Sequence, residues 1–164
     1  DKELVNIYSR LGVRTEFVEN QSRIILKKDK NIDLLINLNL NLNINPDIAQ
    51  TIAVTCFGLG ISCDLTGLHT LKIKETDRLK ALKNELTKLG AKVSITNESI
   101  HIKPSTQVLN NIKISTYQDH RMAMAFAPLA IKKALIIENS SVVSKSYPGF
   151  WSDLQSIGFQ YIIK

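Results

Sequence analysis

The sequence predicts an α/β fold of repeated βαβαββ units, present about two and a half times and packed around buried helices. Three observations carry this reading. Three segments end alike, each with a helix closed by Gly12, Gly90 or Gly158 and then one strand or a hairpin of two. Those glycines lie 78 and 68 residues apart, the spacing of a supersecondary repeat rather than of a short solenoid. Residues 122–131 are apolar on every side, which marks a helix buried all round.

The first unit is partial. Tyr8-Ser-Arg-Leu-Gly-Val13 leads into a strand at 14–18, a polar turn and a second strand at 22–26. The second unit is complete. Residues 36–45 alternate apolar side chains with Asn, the period-two pattern of a strand with one buried face. Pro46 sits where a first helical turn tolerates it and opens a helix through Leu59. A short strand at 62–65 precedes a helix at 75–88, whose Leu79, Leu82 and Leu86 fall on one face with Leu89 just beyond. A hairpin at 92–96 and 99–103 closes the unit. The third unit copies this order, with a strand at 112–115, a helix at 119–132, a strand at 134–138, a helix at 148–157 and a strand at 159–163. The units span about residues 1–28, 32–104 and 110–164. The front strand and helix of the first are expected from elsewhere in a longer chain. An opening on Asp1 rather than Met fits a piece of a longer protein or a processed product.

A chain of 164 residues fits one domain and buries roughly 70% of its unfolded surface. Its 44% hydrophobic and 22% charged residues are those of an ordinary globular protein. No apolar run reaches the roughly 20 residues of a membrane span, and no signal peptide is visible, so a cytoplasmic setting is expected. Cys56 and Cys63 are too few for a disulfide framework and too isolated for zinc; they read as core packing. The 21 basic and 15 acidic residues give a net charge of +6. The lysines are scattered, with no aromatic-and-basic strip of the kind that binds single-stranded nucleic acid. Only the few cations at helix mouths ask for an anionic ligand.

Those cations lie in two charged knots, Lys74-Glu75-Thr76-Asp77-Arg78 and Asp119-His120-Arg121, each ahead of an apolar helix. Cations beside carboxylates at helix N-termini form an anion site with acid–base groups in reach. If the helix reaches back to residue 75, Glu75 falls in line with the leucine stripe, where burial raises a carboxyl pKa and suits a general acid. The alternative is a surface salt-bridge set worth little. Asp47, on its residues alone, is a helix-dipole carboxylate contributing about 0.3–1 kcal/mol. Asp119 reads as a helix N-cap. His120 is either structural or an anion ligand. Arg121 is the stronger anion binder, because a guanidinium holds carboxylate or phosphate bidentately. Lys145 alone is a solvated loop lysine. His69 and His101 have no acidic or cysteine partner in the sequence and read as structural or solvated.

Lys72-Ile-Lys-Glu-Thr-Asp-Arg-Leu79, Tyr117-Gln-Asp-His-Arg-Met-Ala-Met124 and Ser144-Lys-Ser-Tyr-Pro148 occur in that order. Together they resemble the C-terminal part of the 5-enolpyruvylshikimate-3-phosphate synthase family, the 3-phosphoshikimate 1-carboxyvinyltransferases. The resemblance runs from about Leu4 to the end. It implies one domain of the two-domain enolpyruvyl transferase fold, with the N-terminal domain of the same parent chain as partner. It also implies transfer of the carboxyvinyl group of phosphoenolpyruvate to the 5-hydroxyl of shikimate 3-phosphate, releasing phosphate, on the route to chorismate and aromatic amino acids. By resemblance, Asp47 accepts the hydroxyl proton and Glu75 protonates the phosphoenolpyruvate methylene. Lys74 contacts the shikimate 3-phosphate, and Arg78, His120, Arg121 and Lys145 bind phosphoenolpyruvate. Thr70 departs from the Asn that some members carry there, which leaves its role open. No organic cofactor, metal, nucleic acid or membrane is implied. A related transferase acting on a UDP-linked amino sugar fits the motifs less well. An alternative of another class is a non-catalytic nucleic-acid or protein-binding module built of similar α/β units.

Overall fold

The structure, a computed structural model, describes residues 2–29, 32, 35–105 and 107–162. The chain divides into two compact units, Asp1–Ile36 and Asn37–Lys164.

In the first unit a helix, α1 (Glu3–Arg10), packs against a hairpin of β1 (Val13–Val18) and β2 (Arg23–Lys28). Ile7 and Leu11 are buried, and Gly12, at φ +81°, turns the helix into the strand. The antiparallel register runs from Val13 opposite Lys28 to Val18 opposite Arg23. Lys27 Nζ donates to Glu16 Oε2 at 2.8 Å across the strands, which holds the Glu16 carboxyl below its ordinary pKa. One hairpin face presents Phe17, Ile24 and Leu26, all exposed.

The second unit opens with a complete copy of the repeat: β3 (Asn37–Asn41), α2 (Ala49–Leu59), β4 (Ser62–Thr66), α3 (Arg78–Lys88), β5 (Val93–Ile95) and β6 (Ile100–Ile102). These strands form one mixed sheet in the order β3-β4-β6-β5. β3 and β4 are parallel, as the α2 crossover requires, and β6 is antiparallel to both its neighbours. β7 (Ile112–Ile114), α4 (His120–Phe126), β8 (Leu135–Ile137) and α5 (Phe150–Ser156) repeat the first four elements, with β7 and β8 parallel in a sheet of their own. α2 packs on β4, α3 and α4. Ile52, Cys56 and Phe57 of α2 are buried, as are Leu38, Leu65, Leu82, Leu86, Met122 and Phe126 elsewhere in this unit. Ala123, Ala127, Val143 and Phe150 form a further apolar cluster with Trp151 packed on it. Cys56 and Cys63 are free and buried, and a hydrogen bond between them with burial pushes the Cys63 thiol upward.

Several boundaries differ from the sequence expectation, each for a local reason. The strand expected at 36–45 pairs only over Asn37–Asn41, because the Asn41 side chain turns back to accept the Asn43 N–H at 3.0 Å. The helix expected from Pro46 begins as a 3-10 turn, Pro46–Ile48, before α2. The helix expected at 119–132 is α-helical only to Phe126 and tightens to 3-10 over Ala127–Ile131, since Pro128 lacks the N–H that would continue it. The helix expected at 75–88 starts at Arg78, because Asp77 caps it by accepting the Lys80 N–H at 3.1 Å. No strand forms over 159–162, and residue 163 lies outside the described residues. Gly158 stops α5, with the Phe159 N–H bonded back to the Leu154 carbonyl at 3.1 Å, but no described strand pairs with residues 159–162.

Candidate active site

Each of the candidate side chains lies in a segment that follows the C-terminal end of a strand, where open α/β sheets bind ligands. Asp47 follows β3, in the turn set by Pro46. Lys74, Glu75 and Arg78 follow β4, ahead of and at the first residue of α3. Asp119, His120 and Arg121 follow β7 at the mouth of α4. Lys145 follows β8, at the end of a 3-10 turn that packs on α4.

The centre of the site is Arg78, whose side chain is only 2% exposed. Its Nε donates to Asp119 Oδ2 at 2.6 Å, Nη1 to Asp47 Oδ1 at 2.9 Å and Nη2 to Glu75 Oε2 at 2.6 Å. Asp119, fully buried at 0% exposure, caps α4 by accepting the Arg121 N–H on Oδ1 at 2.9 Å. A second donor reaches its Oδ2 from Gln50 Nε2 at 3.4 Å. Asp47 Oδ1 also meets Lys74 Nζ at 3.4 Å. Arg121 grips the same residue twice, Nη1 on the backbone oxygen at 3.2 Å and Nη2 on Oδ2 at 3.4 Å. Three cations, Lys74, Arg78 and Arg121, therefore face three carboxylates, Asp47, Glu75 and Asp119. His120 stands at the edge, with Nδ1 4.0 Å from Asp119 Oδ1.

The geometry divides the labour. Arg78 and Asp119 are the buried floor, joined by one charge-assisted hydrogen bond of 2.6 Å in low dielectric. Asp47, Lys74, Glu75 and Arg121 form the rim and keep part of their surface open to solvent. Arg121 uses two of its five N–H donors on Asp47, and those left over, with Lys74, can bind an anion. Asp47 and Glu75 share one guanidinium and offer two carboxylates for proton transfer at its edge.

Two site expectations need correction. Glu75 does not lie on the leucine stripe: it precedes the helix, is 49% exposed and bonds Arg78, so the apolar desolvation inferred for it is absent. The side chain buried at that helix mouth is Arg78. The N-cap character of Asp77 was the available signal, since it shortens the helix and rotates Glu75 out of line. His101 does have an acidic partner. Its Nδ1 lies 2.7 Å from Asp64 Oδ1 and its Nε2 2.9 Å from Ser99 Oγ, because the β4–β6 register sets Asp64 directly opposite. Lys145 is exposed and makes no hydrogen bond or ion pair with the cluster among the described residues. The Thr70 hydroxyl is buried without a hydrogen-bond partner among the described residues. Sequence reasoning passed over Gln50 and the floor role of Asp119, and no linear pattern points to either. Among the described residues, no group of three or more His, Cys, Asp or Glu is placed to hold a metal ion.

The family model described as EPSP synthase (3-phosphoshikimate 1-carboxyvinyltransferase) matches residues 1–154. The chain belongs to the EPSP synthase family. A 3-phosphoshikimate 1-carboxyvinyltransferase of Bacteroides fragilis is 45% identical over 162 residues, covering 97% of this chain and 38% of that protein. One from Methanococcus aeolicus is 35% identical over 170 residues, covering 100% of this chain and 37% of its own length. Among solved structures, EPSP synthase from Acinetobacter baumannii superposes with a TM-score of 0.74 at 17% identity, over 93% of this chain and 38% of that one. The enolpyruvyl transferase NikO from Streptomyces tendae gives 0.66 at 13% identity, over 96% and 35%. At these identities the structural likeness is one of fold, and it agrees with one domain of a two-domain architecture. The chain spans less than two-fifths of the length of these relatives. No helix among the described residues is long and apolar enough to cross a membrane.

Proposed function

We propose that this chain forms the C-terminal domain of an enzyme that moves the carboxyvinyl group of phosphoenolpyruvate to the 5-hydroxyl of shikimate 3-phosphate and releases phosphate. One observation carries the reading: in a chain of this family, Asp47, Glu75 and Asp119 all bond a single buried guanidinium, and two open cations, Lys74 and Arg121, meet the first of them. The reaction asks for that set. Glu75 protonates the methylene carbon, Asp47 takes the proton of the attacking hydroxyl, and the cations offset charge in the tetrahedral adduct. Lys74 meets the shikimate 3-phosphate. Arg121 and His120 hold phosphoenolpyruvate, with Lys145 closing from the turn after β8. Arg78 spends three of its five N–H donors on carboxylates here, so it reaches phosphoenolpyruvate with the remaining two or by exchanging a carboxylate for it. The other half of the site and the front of the first repeat come from the N-terminal domain. The repeats lie at about residues 1–28, 32–104 and 110–164, and the setting is the cytoplasm.

The test is phosphate release from phosphoenolpyruvate with shikimate 3-phosphate, comparing this chain with the full-length protein. The chain alone is expected to show no turnover, because proximity of both substrates supplies much of the rate. It is expected to bind phosphoenolpyruvate on the order of millimolar, with amide shifts at 75–78 and 119–121. Full turnover by the chain alone, or shifts confined to other surfaces, would overturn the reading.

A further inference from the structure

We propose that Glu85 is a positioning residue for this site, fixing the loop between β7 and α4 so that Asp119, His120 and Arg121 face phosphoenolpyruvate; this rests on the function proposed above. Glu85 is fully buried, at 0% exposure, although it lies in the middle of a helix rich in lysine. Its Oε1 accepts the Tyr117 hydroxyl at 2.7 Å, and its Oε2 accepts the Ser115 N–H at 3.1 Å. Lys88 Nζ supplies the countercharge, at 2.8 and 2.7 Å from the two oxygens. Glu85 stands seven residues, about two turns, beyond Arg78, so both project from one face of α3. Arg78 grips the far end of the same loop through Asp119. One rigid helix thus holds residues 115–119 at two points.

The loop needs that hold. Tyr117 and Gln118 are consecutive left-handed residues, at φ +53° and +58°, and neither is glycine. Side chains with a Cβ disfavour that region, and two in a row persist only where the surroundings impose them. Burial, and then the bond to Glu85, hold the Tyr117 phenol above its ordinary pKa, in keeping with a neutral donor locked against a carboxylate. The grip of Glu85 itself falls on residues 115 and 117, and it reaches Asp47 only through Arg78 and Arg121.

The variant Glu85→Gln keeps the shape but presents an amide N–H₂ where one of the two donors must be accepted. Amide exchange by NMR on this chain should quicken across 115–121 and stay unchanged in α2. Phosphoenolpyruvate titration should weaken by about 10- to 100-fold, the scale of a small misplacement of a binding group. A merely structural role would lower the urea midpoint and leave the affinity of the folded protein unchanged, which overturns the proposal. Unchanged exchange across 115–121 overturns it too. Failure of the functional reading shows elsewhere, as a parent chain without phosphoenolpyruvate shifts at 119–121, and it removes this role as well. Should Glu85→Gln not fold, Tyr117→Phe carries the same test, because it leaves the carboxylate with Ser115 and Lys88.

Discussion

Replacing Arg78 by Met should be among the most damaging single changes in the chain. The side chain is fully enclosed and makes three charge-assisted bonds, but those bonds are not equal. Glu75 is half exposed and turns to water when its partner goes, so its share is about 0–1 kcal/mol. Asp119 has no such escape. At 0% exposure it would keep only the Arg121 N–H and a long 3.4 Å contact from Gln50 for a full negative charge. Stranding one member of a buried pair costs about 3–5 kcal/mol, and that term decides the total. Trp151 is the only tryptophan and packs in the core cluster beside α4, so its fluorescence during urea unfolding reads this unit. With a slope of about 1–3 kcal/mol per molar urea, the midpoint should fall by roughly 2 M. Pairing the change with Asp119→Asn, which keeps the cap but removes the stranded charge, should recover at least about 1.5 kcal/mol relative to additivity. An Arg78→Met chain within about 1 kcal/mol of the parent, or strictly additive single changes, would refute the buried-floor assignment.

The same geometry sets other expectations. In the full-length enzyme, Glu75→Gln and Asp47→Asn should each reduce kcat by roughly 10²–10⁴-fold with smaller changes in substrate affinity, read by phosphate release. Because Glu75 is half exposed, its change should move the urea midpoint little. Tyr117 titrates above its ordinary value, so the folded state keeps the phenol proton that the unfolded chain loses near pH 10. Its contribution is complete below that pH and declines as pH rises toward the folded pKa; Tyr117→Phe should flatten stability across that alkaline window. Gly90 sits at φ +100° with Leu109 Cγ 3.5 Å from an added Cβ, so Gly90→Ala meets torsional rather than steric cost, about 1–2 kcal/mol in urea melts.

The repeat was readable because its punctuation is local. Gly12, Gly90 and Gly158 all take positive φ, and the order β3-α2-β4-α3-β5-β6 is the one the patterns spell out. The membership of Lys74, Glu75 and Arg121 in one charged site was also foreshadowed, since each stands in a charged knot ahead of a helix. What could not be read was distance. Arg78 meets Asp47 from 31 residues upstream and Asp119 from 41 downstream, and no window of sequence holds all three. His101 finds Asp64 only through strand register, and Glu85 looks like any solvated helix carboxylate until Tyr117 folds over it. The strand expected after Gly158 failed for a related reason. A strand is defined by its neighbour, which periodicity cannot supply.

The hairpin that exposes Phe17, Ile24 and Leu26 bears on how long a molecule survives. A two-stranded sheet with one helix against it is held by little, so its local opening is far cheaper than unfolding of the larger unit. Each opening shows an apolar, β-prone stretch to proteases and to chaperones that survey such segments. For this chain taken by itself, susceptibility to proteolysis would then be set by residues 2–28, none of which bonds the charged centre around Arg78 among the described residues. A polar substitution at Phe17 should therefore slow cleavage of residues 2–28 in limited proteolysis of this chain and leave the larger unit's urea midpoint unchanged.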